Sequence, residues 1–334
     1  MTSVDSNRGP EKTPRRGLGC LFLMMIGLVA IGIVGASLAG FAGGLSPDED
    51  RLSESIIKLD PKAKKKLVKV EIRGALMPSA GSVGGGVSSG ARQMLRRALA
   101  DEDVAGVLFY LDTPGGSVTE SDVLHHEIGR LRKAGKEVLV LMGDMCASGG
   151  YYAAVAANRI WALPTTVTGS IGVIINAFTI EQLLVRMGVV DQSIASGKNK
   201  AILNPMKTMN EEQRTLLQSL VDELYNRFVR LIVEGRKLED EKVRALADGR
   251  LFIAEQALAA KLIDSIGYEE EALAELTNLA GGGPFNIVKY SVRPSLLESI
   301  SAHARRGSIE QTAVQSLLTA PRPLYLYSPL SVGP

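Results

Sequence analysis

The chain has 334 residues, 46% hydrophobic and 22% charged, the composition of a globular protein that carries one strongly apolar segment. A net charge of +2 gives no electrostatic case for nucleic-acid binding. Two cysteines, Cys20 and Cys146, cannot build a disulfide framework, and both are expected as unpaired thiols.

Residues 1–16 read as a short polar tail. From Gly17 to Pro47 no residue is charged, and this run exceeds the roughly 20 apolar residues that span a bilayer. Arg8, Lys12, Arg15 and Arg16 precede it, and Asp48, Glu49 and Asp50 follow it. The positive-inside rule places the N-terminus in the cytoplasm and everything beyond about residue 45 outside. The expectation is an uncleaved transmembrane signal anchor over residues 17–45. The competing reading is a signal peptide cleaved after Ser37-Leu38-Ala39, but signal h-regions run only about 7–15 residues. Arg15-Arg16 weakly resembles a twin-arginine signal. Gly19-Cys20 fails as a lipid-attachment site, because the apolar run follows the cysteine.

Residues 46–66 are charged and read as a linker. A soluble domain is expected over 67–292, with strands at Val68–Arg73, Val104–Leu111, Glu137–Met142, Arg159–Ala162 and Gly172–Asn176. Helices are expected at Arg92–Leu99, Glu120–Lys133 and Ser148–Ala157. Strands alternating with helices predict an α/β fold with a mostly parallel sheet. A long helix is expected over about Met209–Gly235, with Thr208 and Glu211 as a capping box. Its apolar stripe is Leu216, Leu217, Leu220, Leu224, Phe228, Leu231 and Ile232. Shorter helices follow at about 239–247 and 254–262, then a strand at Asn286–Val292. Residues 293–334 read as a flexible tail whose apolar Leu324–Tyr327 could add a strand to a neighbour, touch lipid, or enter a peptide groove. No internal repeat is visible.

Ser148 opens a small-residue helix directly after an apolar strand. A hydroxyl there sits beside backbone N–H groups that no helical carbonyl satisfies, and these could hold an oxyanion. A serine nucleophile needs a base. His125 and His126 are adjacent on an amphipathic helix, so one should face solvent and the other the helix edge. His303 lies in the tail. The G-x-S-x-G elbow is absent, since Cys146 takes the first glycine position. A lysine base must be held neutral by burial or neighbouring cations. Lys198 and Lys200 lie in a turn leading into apolar sequence, but residue chemistry alone favours reading them as surface lysines. The Gly81–Gly90 run lacks the Gly-Lys-Ser/Thr of a P-loop. No cluster has metal-ligand spacing, so neither metal nor cofactor is expected.

Five elements in order resemble the signal peptide peptidase A (protease IV) family of membrane-bound serine proteases. They are Asp112-Thr113-Pro114-Gly115-Gly116, Ala147–Tyr152, Thr168–Val173, Gly197–Lys200 and Ala247–Arg250. The resemblance implies a Clp-protease/crotonase-like fold of repeated ββα units. It implies Ser148 as nucleophile, Lys200 as base, Ser170 as the serine orienting that lysine, and Gly116 and Gly149 N–H groups as oxyanion donors. It also implies cleaved signal peptides as substrates, a bacterial inner-membrane location, and a ring- or dome-shaped homo-oligomer in which the dyad could form between protomers. The family's usual Asn-Ser before Pro-Gly-Gly is Asp112-Thr113 here, which puts substrate positioning near Asp112 in question. Cys146 replaces a more usual alanine, and no histidine is placed to pair with it. The rival readings are a crotonase-type acyl-CoA enzyme and a non-catalytic membrane scaffold.

Overall fold

The structure, a computed structural model, describes residues 52–78, 87–293 and 324–326. The expected anchor 17–45, Cys20 and His303 lie outside these residues. Among the described residues no helix is long and apolar enough to cross a membrane.

The centre of the fold is a pair of strands that are apolar almost throughout. Strand β3 is Val104–Thr113 and strand β5 is Glu137–Ala147, and most positions on either are buried. Continuous apolar runs of this kind belong to parallel strands covered on both faces. The two pair in parallel, with Gly106 opposite Glu137 and Leu111 opposite Met142. Around them lie β1 Leu52–Lys58, β2 Lys65–Arg73, β6 Arg159–Ala162, β9 Ser265–Ile266 and β10 Phe285–Val292, in the order β1-β10-β2-β3-β5-β6-β9. Two more strands, β7 Val167–Gly169 and β8 Leu251–Ile253, branch from the end of β5. Six pairings are parallel and two antiparallel. The expected mixed α/β architecture with a mostly parallel sheet is therefore observed.

Helices cover both faces. On one side α1 Val87–Ala100, α2 Val118–Lys133 and α3 Gly149–Ala154 close over a large apolar core that includes Val70, Phe109, Val140 and Ile128. On the other, α8 Glu269–Leu279 lays Ala272 and Leu276 onto Leu67, Leu108, Leu139 and Leu141. Between them in sequence run α4 Glu181–Arg186, α5 Glu211–Arg236, α6 Asp240–Leu246 and α7 Ala254–Ala259.

Several local expectations are corrected. Residues 52–58, read as part of a charged linker, form β1 on the edge of the sheet, antiparallel to β10. The strand expected at Gly172–Asn176 is not there. The strand at this point is β7, a few residues earlier, because Gly169 at φ +87 ends it and a Cβ at that glycine would lie 2.5 Å from Phe252. The long helix is capped by Asn210 rather than Thr208: Asn210 Oδ1 accepts from Gln213 N at 2.9 Å, and Asn210 N donates to Gln213 Oε1 at 3.2 Å. Its apolar stripe is only half used. Phe228, Val229 and Ile232 are buried at the C-terminal end, where Gly235 lets the helix approach Val155, while Leu216 and Leu220 stand exposed. The two ends should therefore respond differently to substitution. Phe228→Ala should cost about 3–5 kcal/mol, and Leu216→Ser should stay within about 0.5 kcal/mol, as measured by urea unfolding.

Candidate active site

The site forms where β5 changes partner within the sheet. Up to Met142 it pairs with β6, and from Met145 it pairs instead with β7. The ladder to β3 shifts register at the same place. Gly143 lies in this change of partner, and a Cβ there would meet Tyr110 Oη at 2.6 Å. Asp112 Oδ1 accepts from Met145 N at 3.2 Å, and its Oδ2 accepts from Arg73 Nη1 at 3.2 Å. The Asp112 carboxylate is thus occupied in fixing the displaced end of β5.

That end delivers Ser148. Its N–H donates to Gly169 O at 2.7 Å, one step beyond the Ala147–Gly169 pair. The residue adopts φ 53, ψ −114 and is 1% exposed. Such a backbone costs a non-glycine residue on the order of 1–3 kcal/mol and persists only where the surroundings enforce it. Here the enforcement comes from α3, whose six residues are all buried. Tyr151 Oη donates to Leu262 O at 2.8 Å, and Tyr152 Oη donates to Asp122 Oδ1 at 2.5 Å. Ser148 occupies the N-cap position of α3 but its side chain caps nothing, so the hydroxyl is not committed to the helix. Gly149, first in the helix, has no preceding helical carbonyl for its N–H.

Ser170 follows Gly169 on β7, also at positive φ (48) and buried, with its N–H on Arg250 O at 2.8 Å. Neighbouring strands lie about 4.8 Å apart, so the β5–β7 pairing makes Ser148 and Ser170 neighbours. Gly116 lies on strand β4, Gly115–Ser117, which runs beside α3. Leu76 N donates to Gly115 O at 2.8 Å and Ser117 N donates to Leu76 O at 2.8 Å. Strand alternation then turns the Gly116 N–H and C=O to the opposite edge. Only glycine fits, since a Cβ would lie 2.2 Å from Leu76 O. The part played by Leu76 left no mark in the sequence beyond Gly116 itself.

Ser148 and Gly149 thus adjoin Ser170 through the β5–β7 pairing, and Gly116 lies on a strand beside the same helix. Lys200 does not join them. It lies exposed in a turn, its N–H on Gly197 O at 3.0 Å, with no hydrogen bond to Ser148 among the described residues. Lys198 is ion-paired with Glu212 on α5. Cys146 is a free, wholly buried thiol whose pKa burial pushes well up, which leaves it protonated and inert. Among the described residues no three His, Cys, Asp or Glu side chains are grouped to hold a metal ion.

The histidines divide as expected, with His126 exposed and His125 half-buried. His125 meets the Tyr152 ring edge-on at 5.6 Å. Asp122, which holds Tyr152, also pairs with Arg227 of α5. Sequence reasoning missed this network. It could have been sought in the Tyr151-Tyr152 pair that follows Ser148 after two glycines.

A buried serine held at a strand-to-helix turn beside backbone N–H donors defines a protein of the nucleophilic-serine class on an α/β scaffold. Comparison with known proteins agrees. Residues 130–282 match the model of peptidase family S49; this span includes Ser148, Ser170 and Lys200 but not Gly116. A Synechocystis protein named "Putative protease slr0021" is 36% identical over 224 residues, covering 66% of this chain and 76% of that one. "Putative signal peptide peptidase SppA" of Enterococcus faecium is 36% identical over 182 residues, 54% of this chain and 53% of that one. "Protease 4" of Salmonella typhi is 33% identical over 244 residues, 72% of this chain and 39% of that one. The chain thus spans only about half or less of the last two relatives. Among solved structures, a ClpP1 mutant from Listeria monocytogenes matches with a TM-score of 0.42 at 16% identity, over 61% of this chain and 94% of that one; a likeness this loose carries no functional weight. The chain belongs to peptidase family S49, the family of the SppA and protease 4 proteins.

The network behind the site predicts a pH response. Burial pushes the His125 imidazole down to about 4, against the pull of the Asp122 carboxylate and with Arg227, His126 and Arg132 adding to the fall. The unfolded chain, with an ordinary value near 6.5, then binds the proton more readily than the folded one. Stability should fall as pH drops from about 6.5 towards 4, by on the order of 3 kcal/mol at most. Urea unfolding across this window should show a flatter slope for His125→Phe than for the wild type. An identical slope would remove His125 as its source.

Proposed function

We propose that this chain is a membrane-anchored serine endopeptidase on a Clp-protease/crotonase-like fold. In this reading it degrades cleaved signal peptides and other short apolar peptides by a Ser148–Lys200 dyad. The observation that carries the reading is Ser148 itself, buried and strained at a turn where two glycine backbones can donate to an oxyanion. Membership in family S49 supports it, as do the names of the relatives.

The chemistry follows from the residues. Ser148 Oγ attacks the scissile carbonyl carbon while the Lys200 amine takes its proton. Gly116 N–H and Gly149 N–H donate to the oxygen as it becomes negative, a contribution of roughly 3–4 kcal/mol per donor at comparable sites. Collapse of the tetrahedral adduct expels the amine product, which takes the proton from Lys200 and leaves an acyl ester on Ser148. Water, deprotonated by Lys200, then hydrolyses the ester and restores both residues. Ser170 orients the amine lone pair.

A lysine base must be desolvated, and exposed Lys200 in one chain is not. The segment around it also exposes a run of large apolar side chains, among them Phe178, Val185, Met187, Val190 and Ile194. Contiguous apolar surface on this scale marks an association site. We assign it to a second copy of the chain in a homo-oligomer, whose packing would bury Lys200 against a neighbour's Ser148. The charge-free run over residues 17–45 supplies the anchor. It places the catalytic domain on the outer side of a bacterial inner membrane, with the N-terminus in the cytoplasm.

Subunit mixing tests this reading. Ser148→Ala and Lys200→Ala proteins should each be inactive on an apolar peptide, yet regain activity when dissociated and reassembled together. Activity in Lys200→Ala alone removes the lysine from the chemistry, and failure to complement places both residues in one protomer.

A further inference from the structure

Strand β1 closes one edge of the large sheet, and among the described residues nothing pairs with its outer side. Ile56, Ile57 and Leu59, at the end of this strand and just beyond it, are 60%, 50% and 64% exposed. The ladder to β10 slips here. Ile56 lies opposite Val288 and Lys58 opposite Ile287, so Ile57 is the extra residue of a β-bulge, which bends the strand and re-aims its side chains. The turn that follows is held in place. Asp60 N donates to Asn286 Oδ1 at 3.0 Å, Asp60 Oδ1 accepts from Lys62 N at 2.9 Å, and Asp60 O accepts from Ala63 N at 2.9 Å. The exposed apolar group is therefore a fixed knuckle. Lys58, Lys62, Lys64 and Lys65 flank it in the chain; all four are exposed and none is in an ion pair. Lys66, by contrast, is paired with Glu54 and Asp101. The exposed acids at this end of the sheet, Glu102 and Asp103, lie beyond β10 and β2, on the turn into β3.

We propose that this knuckle is a lipid contact of the folded domain: Ile56, Ile57 and Leu59 enter the interface of an anionic phospholipid bilayer, while Lys58, Lys62, Lys64 and Lys65 meet its head groups. The proposal rests on the anchored reading above. An apolar group ringed by unpaired lysines suits a surface that is apolar beneath and negative on top. Near such a surface each lysine strengthens attachment about fivefold. Chain length supports the same occupant. Seven peptide steps separate residue 45, the end of the proposed anchor, from Leu52, and extended chain covers at most about 25 Å in that number. An anchored chain thus holds β1 within reach of the bilayer. Addition of a strand from a second copy is the competing occupant, and the edge is built against it. β1 is short, is bulged at Ile57, carries Glu54 and Lys58, and is followed by Pro61, the features that keep edge strands from pairing. The knuckle also stands apart from the chemistry. It lies at the end of the sheet where β2 begins, whereas Ser148 lies where β5 finishes.

A polarity-sensitive fluorophore at the knuckle reads the contact directly. In full-length protein with Cys20→Ser, Ile57→Cys offers a single accessible thiol, because Cys146 is wholly buried. The labelled protein is placed in vesicles of phosphatidylcholine, with or without phosphatidylglycerol. With phosphatidylglycerol, emission from position 57 should shift to shorter wavelength and be quenched by spin-labelled lipid. The shift should be lost in phosphatidylcholine alone, in high salt, and in the Lys62→Gln, Lys64→Gln, Lys65→Gln triple variant, whose exposed substitutions leave the fold unchanged. Equal emission in the two kinds of vesicle overturns the proposal. A shift that persists in detergent micelles assigns the knuckle to a second copy of the chain and also overturns it. Washing the vesicles with alkaline carbonate reads the anchor separately. Protein released by the wash contradicts the anchored reading, and the emission at position 57 on adding vesicles still decides the lipid contact.

Discussion

The hydrogen bond from Ser148 N–H to Gly169 O, 2.7 Å long, is the contact on which the site depends. It extends the β5–β7 ladder one residue past its last regular pair and turns Ser148 into a conformation that serine does not adopt freely. Everything around it works to keep it. The change of partner from β6 to β7 turns the end of β5 towards β7, Asp112 ties Met145 down there, and the two tyrosines of α3 are pinned by Leu262 and Asp122. Without that support the strain at Ser148 would relax into an ordinary helix start. The hydroxyl would then cap the helix, as serine hydroxyls at such positions do.

The Asp112-Thr113 departure from the family's usual Asn-Ser takes on a physical meaning in this setting. Thr113 Oγ1 accepts from Gly115 N at 3.1 Å and is wholly buried, which shapes the turn into β4. Its methyl fills the space that a side chain at Gly150 would need, with Cγ2 at 2.6 Å from that Cβ position. Asp112 turns towards Met145 and Arg73 rather than towards a ligand. Both residues are therefore explained by the geometry of the turn, and neither needs a role in substrate positioning.

How much of this was legible in the sequence depended on the range of the interaction concerned. Continuous apolar runs identified β3 and β5, and the helical period identified α2 and α5, because these signals come from burial on one or two faces. Ser148, Gly149 and Gly116 stand out from motif and local chemistry, and the structure sets Ser148 beside Ser170 and the Gly116 strand beside α3. The short strands β7 and β8 were missed. They are held by partners far away in sequence and have no period of their own. The capping residue was misjudged because Thr208 and Asn210 are both good caps and only the backbone decides between them. The apolar stripe of α5 runs the length of the helix in sequence, but in the structure Leu216 and Leu220 in its first half are exposed. A stripe records that a surface becomes buried, and does not say whether the partner is the same chain. Lys200 belongs to that outward half of the molecule, which explains why it is the one expected site residue left apart from the others.

A buried and well-supported nucleophile thus stands beside an exposed apolar arm that carries the proposed base, while residues Leu324–Leu326 pair with the glycine strand β4. On this account the nucleophile is prepared within one chain, and what is withheld is the base. The central claim is that Ser148 is the group made reactive. The most direct measurement is mass-spectrometric mapping after the full-length protein reacts with a fluorophosphonate. The account predicts one adduct per chain on the peptide that contains Ser148, with Ser170 unmodified. An adduct on another residue, or none under conditions where peptide is cleaved, would contradict it.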